Sequence, residues 1–450
     1  NGTGPTHHWD FLRVKTLMHK FHIRDEAHHV NVFNSEISSG FPPWTYRSDV
    51  KFGYPNFPPA RHLHVGTLEV IEFSHDVKIQ GNKISRSWFG VYPAEAYNVE
   101  ISNNAFEGQT NDAILIWHTA YDINVHHNDV KGTSGISFAS IGYKESPATL
   151  GAIYVHHNDI ELEENPIARP PASDEGYRYP WEKSKPDTDF EFTTNRAFGS
   201  HGAYPEPWNI YNNTIVMNST KSHTGLLLSL EESDTTRYFL NNIIIQENAD
   251  AEFVVGQTNT VGIRFGESHG RQISDGNVYW WPYGKSASAP FYYLMRFYEE
   301  PSTFSCSPDD DFPVTSAAQC EDYDNTNSKS CVSESLGVVT CGLSDNATCC
   351  SWEESSIPSY IKSFNSIEAF KNGEDNNGDI NPQLYDLTKL HYPAGFDAHT
   401  LFADPELDQD KRPAYDGPAG RAQISLSSYT DWPDNESDYI GAYPPDGSVL

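Results

Sequence analysis

One phrase recurs along this chain: an apolar residue, a gap of one, a second apolar residue, two polar residues, an Asn, a gap, and a third apolar residue. It reads Val77-Lys78-Ile79-Gln80-Gly81-Asn82-Lys83-Ile84, then Val99-Glu100-Ile101-Ser102-Asn103-Asn104-Ala105-Phe106, Ile123-Asn124-Val125-His126-His127-Asn128-Asp129-Val130 and Ile153-Tyr154-Val155-His156-His157-Asn158-Asp159-Ile160. Weaker copies run from Trp208 to Ile215 and from Arg237 to Ile244. An earlier one, Val30 to Ile37, carries Ser35 in the Asn place. Alternation with period two marks a short strand with one buried face, bounded by a turn at the Asn. Helical periodicity is absent from these copies.

The marked residues Asn82, Asn104, Asn128 and Asn158, then Asn213 and Asn242, return every 22 to 30 residues with one interval of 55. Periods of this size mean a solenoid. A leucine-rich repeat needs its Leu framework and a propeller blade needs four strands, and neither is visible, which leaves an all-β parallel β-helix. Each strand then pairs with its copy in the next coil at ~4.8 Å, so Val and Ile stack into apolar columns. The Asn residues are expected to take the left-handed conformation at the turn and to bond amide to amide as an Asn ladder. The segment Trp9 to Ile23 alternates through Phe11, Val14, Phe21 and Ile23, so coils are expected from the first residues. No initiator Met, signal pattern or capping helix precedes them, which reads as a mature or partial polypeptide whose uncapped coil offers end-to-end self-association.

Where the coils are interrupted, the loops carry specificity. Residues 1–285 read as coils with insertions near 40–66 and 165–207, residues 286–365 as an aromatic and Cys-rich insert, and residues 366–450 as a return to the β-helix. All six cysteines, Cys306, Cys320, Cys331, Cys341, Cys349 and Cys350, fall in that insert. An even, clustered set in a polar stretch implies a disulfide staple and an extracellular setting. Asn212, Asn218, Asn346 and Asn435 head glycosylation sequons.

The net charge of −32 argues against nucleic acid, whose phosphates need clustered Lys and Arg, and against polyuronate. No apolar run approaches a membrane span. Asp375-Asn376-Asn377-Gly378-Asp379 resembles a calcium loop, but the Gly is misplaced and no Glu closes it, so no cofactor is expected. His126-His127 and His156-His157 occupy equivalent places and should form two stacked columns, read as scaffold and not as a metal site.

The His-His-Asn coils, Ser274-Asp275-Gly276-Asn277-Val278-Tyr279-Trp280, Phe396 to Pro405 and the closing Asp438-Tyr439-Ile440-Gly441-Ala442-Tyr443 resemble secreted right-handed parallel β-helix repeat proteins. That broad group includes polysaccharide lyases and glycoside hydrolases. The resemblance implies a right-handed, extracellular coil and a polysaccharide or glycan partner, by fold analogy. For a lyase, Arg47 and Lys51 flank Asp49. For a hydrolase, which needs two carboxyl groups roughly 5 to 9.5 Å apart, Glu95 with Asp112 is the best pair. Trp44, His64, Trp88, Tyr92 and Trp117 are candidate sugar contacts. The alternative is a non-catalytic structural subunit of an extracellular filament or matrix.

Overall fold

Each copy of the phrase folds as two strands separated by its polar turn: His75–Gln80 and Lys83–Ser85 in one coil, Tyr97–Ser102 and Ala105–Glu107 in the next. A third strand, Phe89–Pro93 between these two coils, completes the turn of the chain. The computed structural model describes residues 7–17, 21–38, 66–87, 89–109, 112–117, 120–133, 136–141, 151–162, 196–200, 207–218, 237–247, 254–259, 272–282, 292–297, 331–334, 338–341, 360–362, 399–414, 416–426 and 439–444.

Corresponding strands of successive coils pair in parallel and build three long sheets. The first has nine strands, from His7–Leu12 to Gln272–Asp275, and the second ten, from Lys15–Leu17 to Leu401–Phe402. The third has six, from Phe21–Ile23 to Arg196–Ser200. Stacked parallel sheets fed by consecutive strands are compatible with a parallel β-helix. The segment Trp9 to Ile23 indeed contributes one strand to each sheet. The chain divides into two compact units, residues 1–257 with 268–294 and 363–450, and residues 258–267 with 295–362. In the second unit Cys331–Glu334 pairs antiparallel with Val338–Cys341, setting Cys331 opposite Cys341.

The register explains the residue types. Val30, Val77, Val99, Ile123 and Ile153 lie one above another, as do Val32, Ile79, Ile101, Val125, Val155 and Ile210. The second sheet adds Ile37, Ile84, Phe106, Val130, Ile160, Ile215 and Ile244, and the third Leu68, Val91, Ile114, Phe138 and Phe198. All are buried. β-Branched side chains fit this pleated stacking, and each removes about 1.5–3 kcal/mol worth of apolar surface from water.

Between the first two sheets a row of buried amides runs from Asn82 to Asn277. Asn82 Nδ2 donates to Asn104 Oδ1 at 2.9 Å, Asn104 to Asn128 at 3.0 Å and Asn128 to Asn158 at 3.0 Å. Asn158 donates to Asn213 and Asn213 to Asn242, each at 3.0 Å, and Asn242 to Asn277 at 3.1 Å. The second proton of each amide goes to a main-chain carbonyl, as from Asn104 to Ile79 O, Asn128 to Ile101 O and Asn158 to Val125 O. The left-handed residue is not the row Asn, as the sequence suggested, but the residue before it. Asn34, Gly81, Asn103, His127, His157, Asn212, Asn241 and Gly276 all have φ between 49° and 69°. Asn, His and Gly recur there because this region is steeply unfavourable for bulkier side chains.

The outer face of the second sheet changes character along the stack. Its two outward columns carry Lys83, Glu107, Asp129, Lys131, Asp159 and Glu161 in the earlier coils, and Val216, Ile243, Ile245, Val278 and Trp280 in the later ones. Apolar outward residues need cover, and the described residues 399–414, 416–426 and 439–444 supply it. Ala419, Ala422 and Ile440 pack on Ile243, Ile245 and Val278, while Leu426 packs on Tyr211 and Leu240. Polar contacts fix the cover in place: Ala442 N donates to Thr214 Oγ1 at 2.9 Å and His399 N to Asp275 Oδ1 at 2.7 Å.

Candidate functional site

Where the charged and apolar parts of that outer face meet, the cover stands away from the sheet and leaves a cleft of about 430 Å³. Its floor is Glu161, Val216, Ile245 and Trp280, and its opposite wall is Asp404, Leu407, Asp408 and Lys411. Asn218, Glu247 and Pro282 close one end. The floor residues share a face because Glu161 lies opposite Val216, Val216 opposite Ile245, and Ile245 opposite Trp280 in the parallel ladders.

The wall is held by a tight turn. Asp408 Oδ1 accepts from the main-chain N–H groups of Asp410 and Arg412, and Lys411, with φ of 60°, turns its side chain toward the sheet. Lys411 Nζ then lies 2.8 and 2.7 Å from the two oxygens of Asp159 and 2.6 Å from Glu161 Oε1. Lys131 Nζ reaches the other Glu161 oxygen at 2.6 Å. Burial pulls the Lys411 ammonium down, but Asp159 and Glu161 outweigh it and leave it above its ordinary value. Burial raises Glu161 while its bonds to Lys131 and Lys411 lower it, with a net shift downward. Asp159 and its register neighbour Asp129 are instead raised, chiefly by burial, with Lys411 opposing. Glu161 is therefore held as an anion between two lysines. It can accept hydrogen bonds, but it is not placed to act as a general acid.

Breaking this cluster has an expected cost. Lys411→Met leaves two partly or fully buried carboxylates short of a cation, a change that costs about 3–5 kcal/mol at buried pairs, with the lower end expected here because Lys131 remains. Urea titration should show the loss, and limited proteolysis should cut within 399–444 before the coils. An unmoved midpoint would mean that the apolar contacts alone hold the cover.

The residues singled out from sequence are dispersed. Tyr92 and Trp117 meet edge-on at 5.4 Å on the outer side of the third sheet, where Tyr92 lies opposite Glu69 in register. Glu69 is buried, and its Oε2 is 3.0 Å from His22 Nδ1. Asp112 and Glu95 do not form a pair. Asp112 begins the strand Asp112–Trp117 with 0% exposure, whereas Glu95 N bonds to Trp117 O at the far end. Five residues of strand put about 16 Å between those ends, beyond the reach of a two-carboxylate mechanism. Asn212 is fully buried, and its Nδ2, the atom that would carry a sugar, donates to His157 Nε2 at 3.3 Å. Arg47, Asp49, Lys51, Trp44, His64 and Trp88 lie outside the described residues, as do Cys306, Cys320, Cys349, Cys350, Asn346, Asn435 and the Asp375 to Asp379 loop.

The histidine columns stack as expected, His126 on His156 and His127 on His157, both at 5.0 Å. Within each pair the Nδ1 atoms approach to 2.9 and 2.7 Å. Among the described residues no group of three or more His, Cys, Asp and Glu side chains is arranged to hold a metal ion. No described helix is long and apolar enough to cross a membrane.

Of the cleft residues, the sequence marks Trp280 only within the phrase Ser274 to Trp280, and it singles out neither Glu161 nor Lys411. Alternation marks Glu161 as outward-facing, but Lys411 comes from 250 residues away and nothing local announces it. No family model matches this chain, and no curated protein or solved structure matches it.

Proposed function

We propose that this chain is an extracellular, right-handed parallel β-helix with an Asn ladder that binds a neutral glycan in the cleft over its second sheet. One observation carries the reading: the Trp280 ring lies in a concave site with Asn218 and the carboxylates of Glu161, Glu247, Asp404 and Asp408. A ring face packs against sugar C–H groups, and carboxylates and an amide meet sugar hydroxyls, so the half-polar, half-apolar lining suits a ligand that carries both kinds of surface. The acidic lining and the net charge of −32 disfavour a polyanionic substrate. Binding is favoured over hydrolysis because Asp112 and Glu95 are apart and Glu161 is pinned. Right-handedness accords with the general preference of parallel crossovers. The even, clustered set of six cysteines in a polar stretch is what supports a disulfide-stapled insert in an oxidising setting.

Calorimetric titration with neutral hexose and N-acetylhexosamine oligosaccharides tests the reading. Trp280→Ala should weaken binding at least tenfold, about 1.4 kcal/mol, while Trp117→Ala leaves it unchanged. Loss of binding in Trp117→Ala alone would move the site to the third sheet, and no binding by any oligosaccharide would sink the proposal.

A second reading, a structural subunit stacking end to end, draws on Trp9 and Leu12, 51% and 58% exposed on the edge strand His7–Leu12. Exposed apolar edge strands template association. Sedimentation that stays monomeric at high concentration would count against it.

A further inference from the structure

The geometry points to Asn218 as a glycosylated residue whose first sugar lies in the cleft against Trp280. Asn218-Ser219-Thr220 and Asn212-Asn213-Thr214 are both sequons, six residues apart, and the fold treats them in opposite ways. At Asn212 the side chain is 0% exposed and its Nδ2 is engaged by His157, so a sugar there would prevent the coil from closing. Asn218 is exposed, follows the strand Thr214–Met217 directly, and is fixed through its main chain, whose N–H donates to Leu162 O at 2.8 Å. Its side chain is at the rim of the cleft.

The register gives the direction. Val216, Ile245 and Trp280 lie side by side on three adjacent strands, so Asn218 is two residues along and two strands across from Trp280. That is roughly 7 Å along and 10 Å across the face, a gap that an Asn side chain, one pyranose ring and an indole together span. The N-acetylglucosamine that begins an N-linked glycan is neutral, so the acidic lining does not repel it. Its acetamide N–H is a donor for the carboxylates of Glu247 or Asp404, and its ring C–H groups suit the indole face. Attachment requires a lipid-linked pyrophosphate oligosaccharide as donor: the Asn218 Nδ2–C1 bond forms, the C1–O bond to the diphosphate breaks, and the amide proton is lost, with no change of oxidation state. The attached sugar then competes with any added glycan for the same floor. This competition rests on the carbohydrate-binding reading, whereas occupancy does not.

The protein secreted from a glycosylating eukaryotic host is the test material. Glycopeptide mass spectrometry should find Asn218 modified and Asn212 unmodified, and an unmodified Asn218 or a modified Asn212 would overturn the assignment. Acrylamide should quench wild-type fluorescence less than that of Asn218→Gln, and this difference should vanish in the Trp280→Phe background. Equal quenching of wild type and Asn218→Gln overturns the seat in the cleft. Asn218→Gln should bind added neutral oligosaccharide at least tenfold more tightly than the glycosylated protein. Equal, measurable affinities overturn the competition. If neither protein binds any oligosaccharide, the carbohydrate-binding reading fails, competition included, while the mass and quenching results still decide occupancy and seating.

Discussion

Asn158→Ala should be among the most damaging single substitutions in the chain, lowering stability by about 3–5 kcal/mol. Asn158 is 0% exposed and takes part in five hydrogen bonds of the amide row: its Oδ1 accepts from both the main-chain N–H and Nδ2 of Asn128, its Nδ2 donates to Val125 O and Asn213 Oδ1, and its own N–H donates to Asn213 Oδ1. Alanine keeps only the last. The Asn128 N–H and the Val125 carbonyl then lose these partners inside the stack, at about 1–3 kcal/mol for each unmet group, and a small cavity adds to that. Asn31→Ala is the control, because Asn31 bonds to Asp10 at an exposed position and its loss should stay within about 0.5 kcal/mol. In a solenoid the damage is local, since each coil touches chiefly its neighbours. Hydrogen exchange should therefore rise first in Tyr121–His126, Ile153–His156 and Trp208–Tyr211. A uniform rise along all coils, or a midpoint shift no larger than that of Asn31→Ala, would refute the claim that the row is a primary source of stability.

How much of this was legible in the sequence depended on whether a position repeats its chemistry. Val77 and Ile79 recur as Val99 and Ile101, Ile123 and Val125, and Ile153 and Val155, so the apolar columns and the period can be read directly. The left-handed corner was misplaced by one residue because Asn103-Asn104, Asn212-Asn213 and Asn241-Asn242 put the same residue type in both roles. Gly81-Asn82 and Gly276-Asn277 held the clue, since a Gly immediately before the Asn marks the residue that must adopt positive φ. Glu95 and Asp112 were paired by position in successive coils, yet Asp112 lies opposite Phe89. Glu95 stands 13 residues after Asn82 but Asp112 only eight after Asn104, so membership of successive coils does not make the two register partners. The cleft was hidden for a different reason. It needs a long-range cover, and the contact that shapes it, Lys411 with Asp159, links residues 252 apart.

The paired histidines make a second large effect, this time of pH. Burial holds His126 down at about 4 and His157 at about 3, and burial likewise lowers His156, with neighbouring imidazoles adding to it. The geometry agrees: the single hydrogen bond between His156 Nδ1 and His157 Nδ1, at 2.7 Å, holds one proton, and a second would set two N–H groups face to face. Stacked rings above and below, His126 on His156 and His127 on His157, with Tyr439 edge-on at 4.8 Å, leave little room for water to solvate a charge. Glu100, 3.5 Å from His126 Nε2, opposes the shift of that ring and Lys78 reinforces it, but neither reverses the effect of burial. In the unfolded chain these groups titrate near 6.5. Above that pH both states are neutral and the histidines impose no penalty. As the pH falls below 6.5 the unfolded chain takes up protons that the folded one cannot, and stability is lost continuously down to the folded values. At about 1.4 kcal/mol per pH unit and group, the fall to pH 5 costs about 4 kcal/mol from His126 and His157 together, and His156 adds to it. Asp129 and Asp159, raised by burial, act in the opposite sense, since their protonation favours the folded state as the pH drops. His157→Asn separates the contributions, because Asn already occupies the same left-handed corner at Asn103, Asn212 and Asn241 and does not titrate. Between pH 7 and pH 5 this variant should lose about 2 kcal/mol less stability than the wild type in urea titrations. Superimposable pH profiles would show that the His156–His157 pair accepts its second proton without penalty.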